Sequence, residues 1–285
     1  MLEVNKKSWQ LITAIFFLIS ISLYSKDDKK FEYFFKKLYQ DRFETYNSPV
    51  LAVDLIKPQF NYSDFQDFPS SIGINIFYGF SRESSEFYYE NFTYHSHEFA
   101  FGGNVSSKLL PESSLDKILD YWKFGVGWQN GYAYNLDFFK IFLIHQGTMN
   151  WNNLELNYQT DIQNLEKLQG DLRFGTSYSS GVMINLYKSI NIGLFYEDYL
   201  VYPRYTFSNH ILSWTIENIL QRTPDYFEEE LVKEFQEYYP IYYFIYKTSI
   251  SSLLYHFRKG NMNWPINSSE PLNYNSIKID LRFIF

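Results

Sequence analysis

The five histidines are the side chains in this sequence best suited to acid–base chemistry or metal binding near neutral pH: His95, His97, His145, His210 and His256. In YHSHEF, residues 94–99, a strand would place His95 and His97 on one face and Ser96 and Glu98 on the other. Two imidazoles could share a metal ion, but no third ligand follows at a sequence spacing typical of a metal-binding motif. The pattern therefore predicts neither a metal site nor a cofactor.

A second arrangement that could take part in catalysis is SNH, residues 208–210, where a serine hydroxyl stands close to an imidazole in the sequence. An esterase would need a serine that a histidine activates. A helix N-cap is the better interpretation of Ser208 or Asn209, because both side chains accept hydrogen bonds from the free N–H groups of a first helical turn. The sequence thus leaves any catalytic residues unassigned.

Composition excludes several classes of function. The chain has no cysteine, so disulfides, thiolate metal sites, a cysteine nucleophile and lipoprotein attachment are all ruled out. A net charge of -7 argues against a nucleic-acid partner. The GxGxxG, P-loop and HExxH patterns are absent as well, which leaves no case for nucleotide or zinc-protease chemistry. A protein without enzymatic activity is therefore favoured over an enzyme.

The N-terminus has the pattern of an export signal. Lys6 and Lys7 precede an uncharged apolar run, residues 11–23, and a polar segment follows Ser25. The run is short for a membrane helix, which needs about 20 apolar residues. We therefore predict a signal peptide over residues 1–25, with an uncleaved inner-membrane anchor as the alternative. Residues 26–48 form a predicted helical lead, since residues 31–43 place apolar side chains at helical spacing.

From residue 49 onward, apolar and polar residues alternate with a period of two, which is typical of β-strands. The clearest predicted strands are residues 71–80, 151–159, 170–178, 190–197 and 276–285. Further strands are predicted at residues 86–105, 121–134, 136–148, 181–187 and 241–257, with a weaker one near 50–60. We count about ten strands and take 8 to 12 as the bracket for a barrel of this length.

Two segments interrupt the strand pattern and are predicted as helices. Residues 113–122 carry apolar side chains at helical spacing. A longer insertion covers residues 208–239, with Thr223 as a predicted N-cap and Pro224 in the first helical position. The simplest place for such an insertion is one mouth of the barrel, as a lid or plug.

The last ten residues, SIKIDLRFIF, place apolar side chains at every second position and end on Phe285. This segment resembles the C-terminal strand of bacterial outer-membrane β-barrel proteins. The resemblance implies that the strand is read by the barrel-assembly machinery and then closes the barrel against the first strand. It also implies that membrane lipid covers the apolar face. Export without cysteine fits a Gram-negative outer membrane in the same way.

These features predict an all-β fold, an antiparallel transmembrane β-barrel over residues 49–285. Its charged side chains should face the lumen and its apolar side chains should face lipid. Six of the charged residues could form an ion-paired lumen core: Lys278, Asp280, Arg282, Glu155, Asp171 and Arg173. A wide diffusion pore needs about 16 to 18 strands, so a structural role or a narrow gated pore is the expected function.

Two alternatives remain open. One is an outer-membrane hydrolase acting on lipid or lipopolysaccharide, although the known outer-membrane phospholipases have His and Ser two residues apart followed by Asn and Gly, an order found neither at residues 94–99 nor at 208–212. The other is a soluble periplasmic, lipocalin-like binding barrel. It would show nearly the same alternation, but with the apolar face turned inward.

Overall fold

A computed structural model describes residues 48–61, 73–83, 92–105, 119–136, 138–156, 172–187, 189–203 and 207–285. The predicted signal peptide lies outside these residues. So does the predicted helical lead at 26–48, apart from Ser48, which begins the first strand. The described residues form eight strands and a helical segment between the last two strands.

The eight strands form one closed barrel in which each strand pairs antiparallel with the next and the last pairs with the first. They are β1 Ser48–Asn61, β2 Gly73–Glu83, β3 Phe92–Val105, β4 Leu119–Asn135, β5 Lys140–Leu156, β6 Arg173–Tyr187, β7 Ile190–Val201 and β8 Leu272–Ile284. The predicted all-β antiparallel barrel is confirmed, with a strand number at the lower limit of the predicted bracket.

Fewer strands form than the predicted ten because polar residues inside strands look like turns in the sequence. β5 contains residues 140–148 and 151–156 of two predicted strands, 136–148 and 151–159, and β6 contains residues 173–178 and 181–187 of two others, 170–178 and 181–187. Asn150 and Ser179 stand at these apparent breaks, but both are buried and hydrogen-bonded, Asn150 to Thr148 and Ser179 to Lys278. A polar lumen therefore lets a strand continue through residues that would end a strand elsewhere.

The segment between β7 and β8 contains helix α1, Phe207–Tyr226, helix α2, Glu228–Phe235, a 3-10 turn, Gln236–Tyr238, and helix α3, Tyr239–Lys259. The helical insertion predicted over 208–239 thus continues to Lys259. The strand predicted at 241–257 is wrong, because this segment is α3. The helix predicted at 113–122 is wrong over its last four residues, which belong to β4, and residues 113–118 lie outside the described chain.

Pro224 lies inside the last turn of α1 and does not begin a helix, contrary to the prediction. A proline lacks the N–H that would bond to the carbonyl four residues earlier, here that of Leu220. The Tyr246 hydroxyl donates to this carbonyl instead, over 3.3 Å. Thr223 is not an N-cap, since its hydroxyl donates back to the Ile219 carbonyl at 3.0 Å.

The register of the barrel fixes the tilt of its strands. Successive partners of Val50 lead through every strand and return to β1 at Phe60, ten residues further along; they are Gly79, Phe99, Gly127, Thr148, Ser177, Tyr199 and Tyr274. For eight strands such a stagger corresponds to a tilt of about 40° from the barrel axis. Connections 62–72, 106–118, 157–172 and 202–271 share one end, the long-loop end, and 84–91, 136–139 and 188–189 share the short-turn end.

Helix α3 packs against the outer surface of the barrel wall. Near the short-turn end, the Tyr132 ring of β4 lies 5.2 Å from the Tyr239 ring and 4.9 Å from the Tyr243 ring, between centroids. Near the long-loop end, the Tyr255 hydroxyl donates to Asn273 of β8 at 3.3 Å. Tyr132 and Asn273 alternate with lumen-facing neighbours and so point outward. The predicted lid or plug at a barrel mouth is therefore wrong, since an eight-stranded interior is filled by side chains.

The path of α3 along the wall runs nearly parallel to the barrel axis. Successive cross-strand partners lead from Tyr132 of β4 to Ile279 of β8, four strands away. Asn273 lies six residues from Ile279 along β8, toward the long-loop end. With about 4.8 Å between strands and 3.3 Å per residue, and the tilt above, the two ends of this path differ by about 28 Å along the axis. Around the barrel they differ by only about 2 Å.

Helix α1 runs antiparallel to α3, and α2 connects them at the short-turn end. Three pairs of side chains join the two long helices along their length: Asp225 with Lys247, Gln221 with Ser251, and Glu217 with Arg258. We call α1 and α3 the helical pair. Taken singly, neither of these helices, nor α2, has both the length and the apolar character that a membrane-crossing helix needs.

Candidate functional site

The burial pattern of β8 is the reverse of that in a soluble barrel. Ile277 and Ile279 expose 60% and 52% of their surface on the outside, whereas Lys278 and Arg282 expose 2% and 1%. Because neighbouring residues of a strand point to opposite faces, the ionic side chains of β8 lie in the lumen. The aliphatic side chains lie on the outer surface.

Lys278 is at the centre of the lumen. Its ammonium lies 3.5 Å from Glu197 of β7 and 3.9 Å from Asp54 of β1, and it donates to the Ser179 hydroxyl at 3.0 Å. Glu197 in turn accepts hydrogen bonds from the Ser177 and Ser276 hydroxyls, each at 3.0 Å. One cation thus joins acids from the two strands that flank its own, β7 and β1, and the Ser177 and Ser276 hydroxyls use the remaining capacity of Glu197.

Arg282 forms a second ionic group closer to the short-turn end. Its Nε donates to both oxygens of Asp280, at 2.8 and 2.9 Å, and its terminal nitrogens bond Asp280 and Gln129 of β4. The Phe195 ring lies 5.6 Å from the guanidinium carbon. The guanidinium is therefore held by hydrogen bonds in its plane and by an aromatic face above it.

Lys123 forms the third group, toward the long-loop end. It donates to the Tyr274 hydroxyl at 3.1 Å and lies 4.4 Å from the centre of the Tyr199 ring. These two rings stack with centroids 4.4 Å apart, and the Tyr199 hydroxyl donates to Asn152 at 2.6 Å. The stacked tyrosines and the lysine occupy the lumen between β4, β7 and β8.

Near the short-turn end, apolar side chains fill the part of the lumen that the three ionic groups do not occupy. One cluster consists of Ala133, Phe142, Ile144, Met183 and Phe195, and another of Val50, Ala52 and Phe77. Among the described lumen residues, the bases Lys123, Lys278 and Arg282 balance the acids Asp54, Glu197 and Asp280. The described part of the lumen is thus packed and close to neutral.

Three of the six residues predicted for an ion-paired core are in it: Lys278, Asp280 and Arg282. Arg173 instead lies at the start of β6 and donates to the Pro203 carbonyl at 2.9 Å. Asp171 and the side chain of Glu155 lie outside the described residues. The prediction missed Lys123, Asp54 and Glu197, although each stands at a lumen-facing position of its strand; strand parity alone would have found them.

Among the described side chains of the strands, an apolar belt covers the outer wall. Its exposed members are Leu55, Ile76, Tyr78, Phe80, Val126, Trp128, Val182, Ile184, Ile192, Leu194, Ile277 and Ile279, with Trp122 and Trp151 at its long-loop edge. From the register and the strand tilt, the belt is about 25 Å high along the barrel axis. Leu172 is also exposed, at the long-loop end.

Neither a family model nor a curated protein matches the sequence. Among solved structures, the chain is similar to neisserial surface protein A, with a TM-score of 0.37 and 8% identity over 83% of this chain and 97% of that one. It is also similar to Ail, the attachment invasion locus protein of Yersinia pestis, with a TM-score of 0.33 and 6% identity over 85% of this chain and 100% of that one. A likeness this weak decides neither fold nor function.

A polar seam lies between the helical pair and the wall, and His145 of β5 is its middle. The His145 Nδ1 atom is 3.1 Å from the Ser180 hydroxyl of β6, and its Nε2 atom is 3.2 Å from the Ser251 hydroxyl of α3. Gln221 of α1 donates to the same Ser251 hydroxyl at 2.6 Å. One imidazole therefore connects two strands, through their outer faces, to both helices.

Ionic pairs complete the seam on either side of His145. Arg258 of α3 bonds Glu217 at 2.7 Å and the Ser213 hydroxyl at 2.8 Å, both on α1. Toward the short-turn end, Lys247 lies 3.0 Å from Asp225. At that end, the Tyr132 hydroxyl donates to Glu228 of α2. Buried polar groups thus follow the whole length of α3 on its wall-facing side.

The exposed surface of α2 has different electrostatics from the seam. Glu229 and Lys233, one helical turn apart, form an ion pair of 2.7 Å with both side chains largely exposed. The hydrogen bond and the negative charge of Glu229 raise the pKa of Lys233 above its ordinary value. Such a pair is typical of a water-facing helix.

The remaining histidines do not assemble into a site among the described residues. His210 is buried beside the rings of Phe174 and Tyr202, with centroids 5.8 and 5.1 Å away. His256 is exposed near the end of α3. His95 and His97 lie in β3, but their side chains are outside the described set, within which no group of His, Asp and Glu side chains could hold a metal ion.

Ser208 and Asn209 lie in the first turn of α1, which begins at Phe207, so neither is its N-cap. The hydroxyl that approaches an imidazole is instead that of Ser251. Sequence reasoning missed the pair because Ser251 is 106 residues from His145 and stands in a segment predicted as a strand. Hydroxyl and imidazole are the parts of a nucleophilic site, but the second partner of this imidazole is a hydroxyl and not a carboxylate.

Proposed function

We propose that the chain is an integral outer-membrane barrel with a sealed lumen and a structural role. The observation that carries the proposal is the burial of Lys278 and Arg282 beside exposed Ile277 and Ile279. A belt of aliphatic and aromatic side chains about 25 Å high is the surface that hydrocarbon covers in membrane barrels. In water the same belt would be a large unfavourable apolar patch.

The soluble binding barrel fits this pattern poorly. Such a barrel needs an apolar interior that receives a ligand and a polar outer surface. Here the described interior holds three ionic groups, and the outer surface is aliphatic. The distribution of charge thus favours a membrane barrel over a lipocalin-like one.

A structural role is favoured over a narrow gated pore by the packing of the lumen. Lys123 with Tyr199 and Tyr274 fills the section near the long-loop end, and Arg282 with Gln129 fills a section below it. Opening a path would separate buried ion pairs, and breaking such a pair costs about 3 to 5 kcal/mol. A water-filled route would need several of these separations at once.

Membrane lipid and the barrel-assembly machinery are the proposed partners. The short turns of outer-membrane barrels face the periplasm and the long loops face the exterior, so the long-loop end of this barrel would be extracellular. Phe285 follows β8 and is exposed, with its N–H bonded to the Pro49 carbonyl. This exposed ring next to the closing strand is the proposed contact with that machinery.

Two measurements test the proposal. Expressed in a Gram-negative host, the protein should sediment with outer membranes and resist extraction by alkaline carbonate; release by osmotic shock would refute membrane integration. Refolded protein inserted in planar bilayers should give no steady conductance, with insertion verified by protease protection. Steady single-channel currents from the inserted wild type would refute the sealed lumen and restore the pore.

A hydrolase acting on lipid esters is the second candidate, favoured by the 3.2 Å approach of Ser251 to His145. In this role Ser251 would attack the ester carbonyl carbon while His145 accepts its proton and passes it to the departing alcohol as the ester C–O bond breaks; water would then hydrolyse the acyl-serine. A fluorophosphonate probe on the detergent-solubilised protein tests it, with Ser251→Ala as the inactive variant and Ser252→Ala, the exposed neighbour, as its control. Absence of labelling in the wild type would remove this candidate.

A further inference from the structure

We infer that the helical pair lies within the hydrocarbon layer of the membrane beside the barrel, with lipid acyl chains covering its outward face. This inference rests on the proposed membrane location of the barrel. It adds a second lipid-facing surface that is helical, built by α1 and α3 on the outer wall.

The position of α3 along the wall is the first reason. Its 21 residues correspond to about 31 Å of helix, close to the thickness of a bilayer's hydrocarbon core, about 30 Å. The helix runs nearly parallel to the barrel axis, from Tyr132 near the short-turn end to Asn273 near the long-loop end. It therefore covers the same height as the apolar belt, and a membrane that covers the belt must also surround α3.

The distribution of side chains on the helical pair is the second reason. The large exposed apolar residues of these two helices are Ile211, Leu212, Trp214, Ile241, Ile245 and Leu253. Among the described side chains, the other exposed positions are Thr215, Ser249, Ser252 and, toward the helix ends, Arg222, His256 and Lys259. The face toward the wall and the partner helix carries Lys247, Ser251 and Arg258, all buried, among the rings of Tyr239, Tyr243 and Tyr255 and the side chain of Leu254. A helix on a water-soluble protein shows the opposite arrangement, with its apolar stripe buried and its charges exposed.

The charges at the ends of the pair agree with this placement. The α2 segment at the short-turn end has exposed Glu229, Glu230 and Lys233, and Lys259 is exposed at the other end of α3. Arg222 is exposed on α1 four residues before the helix ends. An arginine at that depth can extend its long aliphatic stem to the interface and keep its guanidinium in the headgroup region.

Backbone hydrogen bonding at Pro224 is a third, independent reason. In hydrocarbon an unpaired carbonyl costs several kcal/mol, so a proline inside a membrane helix needs a neighbour to bond the freed group. The Tyr246 hydroxyl of α3 bonds the Leu220 carbonyl that Pro224 leaves without its helical N–H.

The absence of cysteine allows a direct test with single-cysteine variants of the full protein. Leu253→Cys probes the helical pair, Ile279→Cys probes the apolar belt of the barrel, and Lys233→Cys probes α2; all three side chains are exposed. Each variant is labelled with an environment-sensitive fluorophore, refolded into phosphatidylcholine vesicles, and compared in vesicles with and without bromine on the acyl chains.

We expect brominated chains to remove most of the fluorescence at positions 253 and 279 and to leave position 233 unchanged. Quenching at 279 without quenching at 253 would overturn the inference and leave the membrane location of the barrel intact. Quenching at neither position would refute the proposed function itself. Iodide in the aqueous phase serves as a second, water-soluble quencher. The inference is also overturned if only iodide quenches the probe at position 253, or if neither quencher reaches that probe because protein covers it.

Folding is controlled by the heat-modifiable gel mobility of each labelled variant. Should Leu253→Cys fail to fold, Ser252→Cys replaces it, because this neighbouring side chain on α3 is exposed and small. The same quenching result decides the inference at this position.

Discussion

Replacing Lys278 by methionine tests the ionic lumen most directly. The methionine has nearly the length of the lysine stem, so it fills the same space and removes only the ammonium. Lys278 is the one cation that contacts both Glu197 and Asp54 among the described ion pairs, at 3.5 and 3.9 Å. Its loss leaves two buried acids without this partner and gives the neutral set of lumen charges an excess of one negative charge.

The expected loss of stability follows from these distances. At an effective dielectric of about 20, each attraction amounts to about 4 kcal/mol. Part of that is offset because the buried ammonium no longer has to be desolvated. Truncating one member of a buried pair costs about 3 to 5 kcal/mol in practice. We therefore expect Lys278→Met to lower the free energy of unfolding by about 3 to 5 kcal/mol.

The assay is equilibrium unfolding in guanidinium chloride with protein in phosphatidylcholine vesicles, followed by tryptophan fluorescence. Lys233→Met is the matched control; its exposed pair with Glu229 should contribute nothing measurable. The double variant Lys278→Met, Glu197→Gln should recover part of the loss, because one of the two stranded acids is also removed. A Lys278→Met protein as stable as the wild type would show that Lys278 does not hold the lumen together.

Three further predictions use the same unfolding assay unless stated otherwise. Ile279→Arg should cost about 2 to 4 kcal/mol in lipid vesicles, because it places a charge on the middle of the apolar belt. Gly181→Val should prevent folding, since a Cβ at this lumen-facing position would lie 2.6 Å from the Phe195 ring and against a backbone carbonyl. Arg258→Met should strand Glu217 in the polar seam and loosen the helical pair, so that limited proteolysis cuts the segment between β7 and β8 while the barrel stays folded.

Each of these variants has a partner that isolates its cause. Ile279→Leu keeps the belt apolar and should leave stability unchanged. Val182→Ile, next to Gly181 but facing outward, should fold normally. Adding Glu217→Gln to the arginine variant should restore protease resistance in part; if Arg258→Met alone is as resistant as the wild type, the seam does not hold the helices.

The barrel was predictable because its determinants are local along the chain. In β8, the alternation of Ile277, Lys278 and Ile279 is enough to predict a strand and to assign its side chains to two faces, one apolar and one charged. Alternation alone does not say which face is inside. The predicted export signal and the resemblance of the last ten residues to outer-membrane strands placed Lys278 in the lumen, and its burial agrees with that prediction. The strand number was overestimated because Asn150 and Ser179 look like turn residues to any rule derived from apolar cores.

The helical pair was less predictable because its stabilising contacts are distant in sequence. Tyr243, Lys247, Ser251 and Arg258 recur at helical spacing in α3, but most of them are polar, so no apolar stripe marks the buried face. Their partners lie on α1, and for Ser251 also on β5. A rule that equates burial with apolarity therefore assigns this segment to the wrong element.

The lumen and the polar seam obey the same physical rule. Inside the barrel and between the helices, buried ionic groups are paired: Lys278 with Glu197 in the lumen, and Arg258 with Glu217 outside it. The exposed side chains of the described strands are apolar. On the helical pair, large apolar side chains share the exposed surface with Thr215, Arg222, Ser249, Ser252, His256 and Lys259. A medium that offers no hydrogen bonds produces the apolar surface of the strands, because a polar group facing it would be left unpaired at a cost of several kcal/mol. The wall can then carry helices too polar to cross a membrane alone, since it supplies the partners that the hydrocarbon lacks.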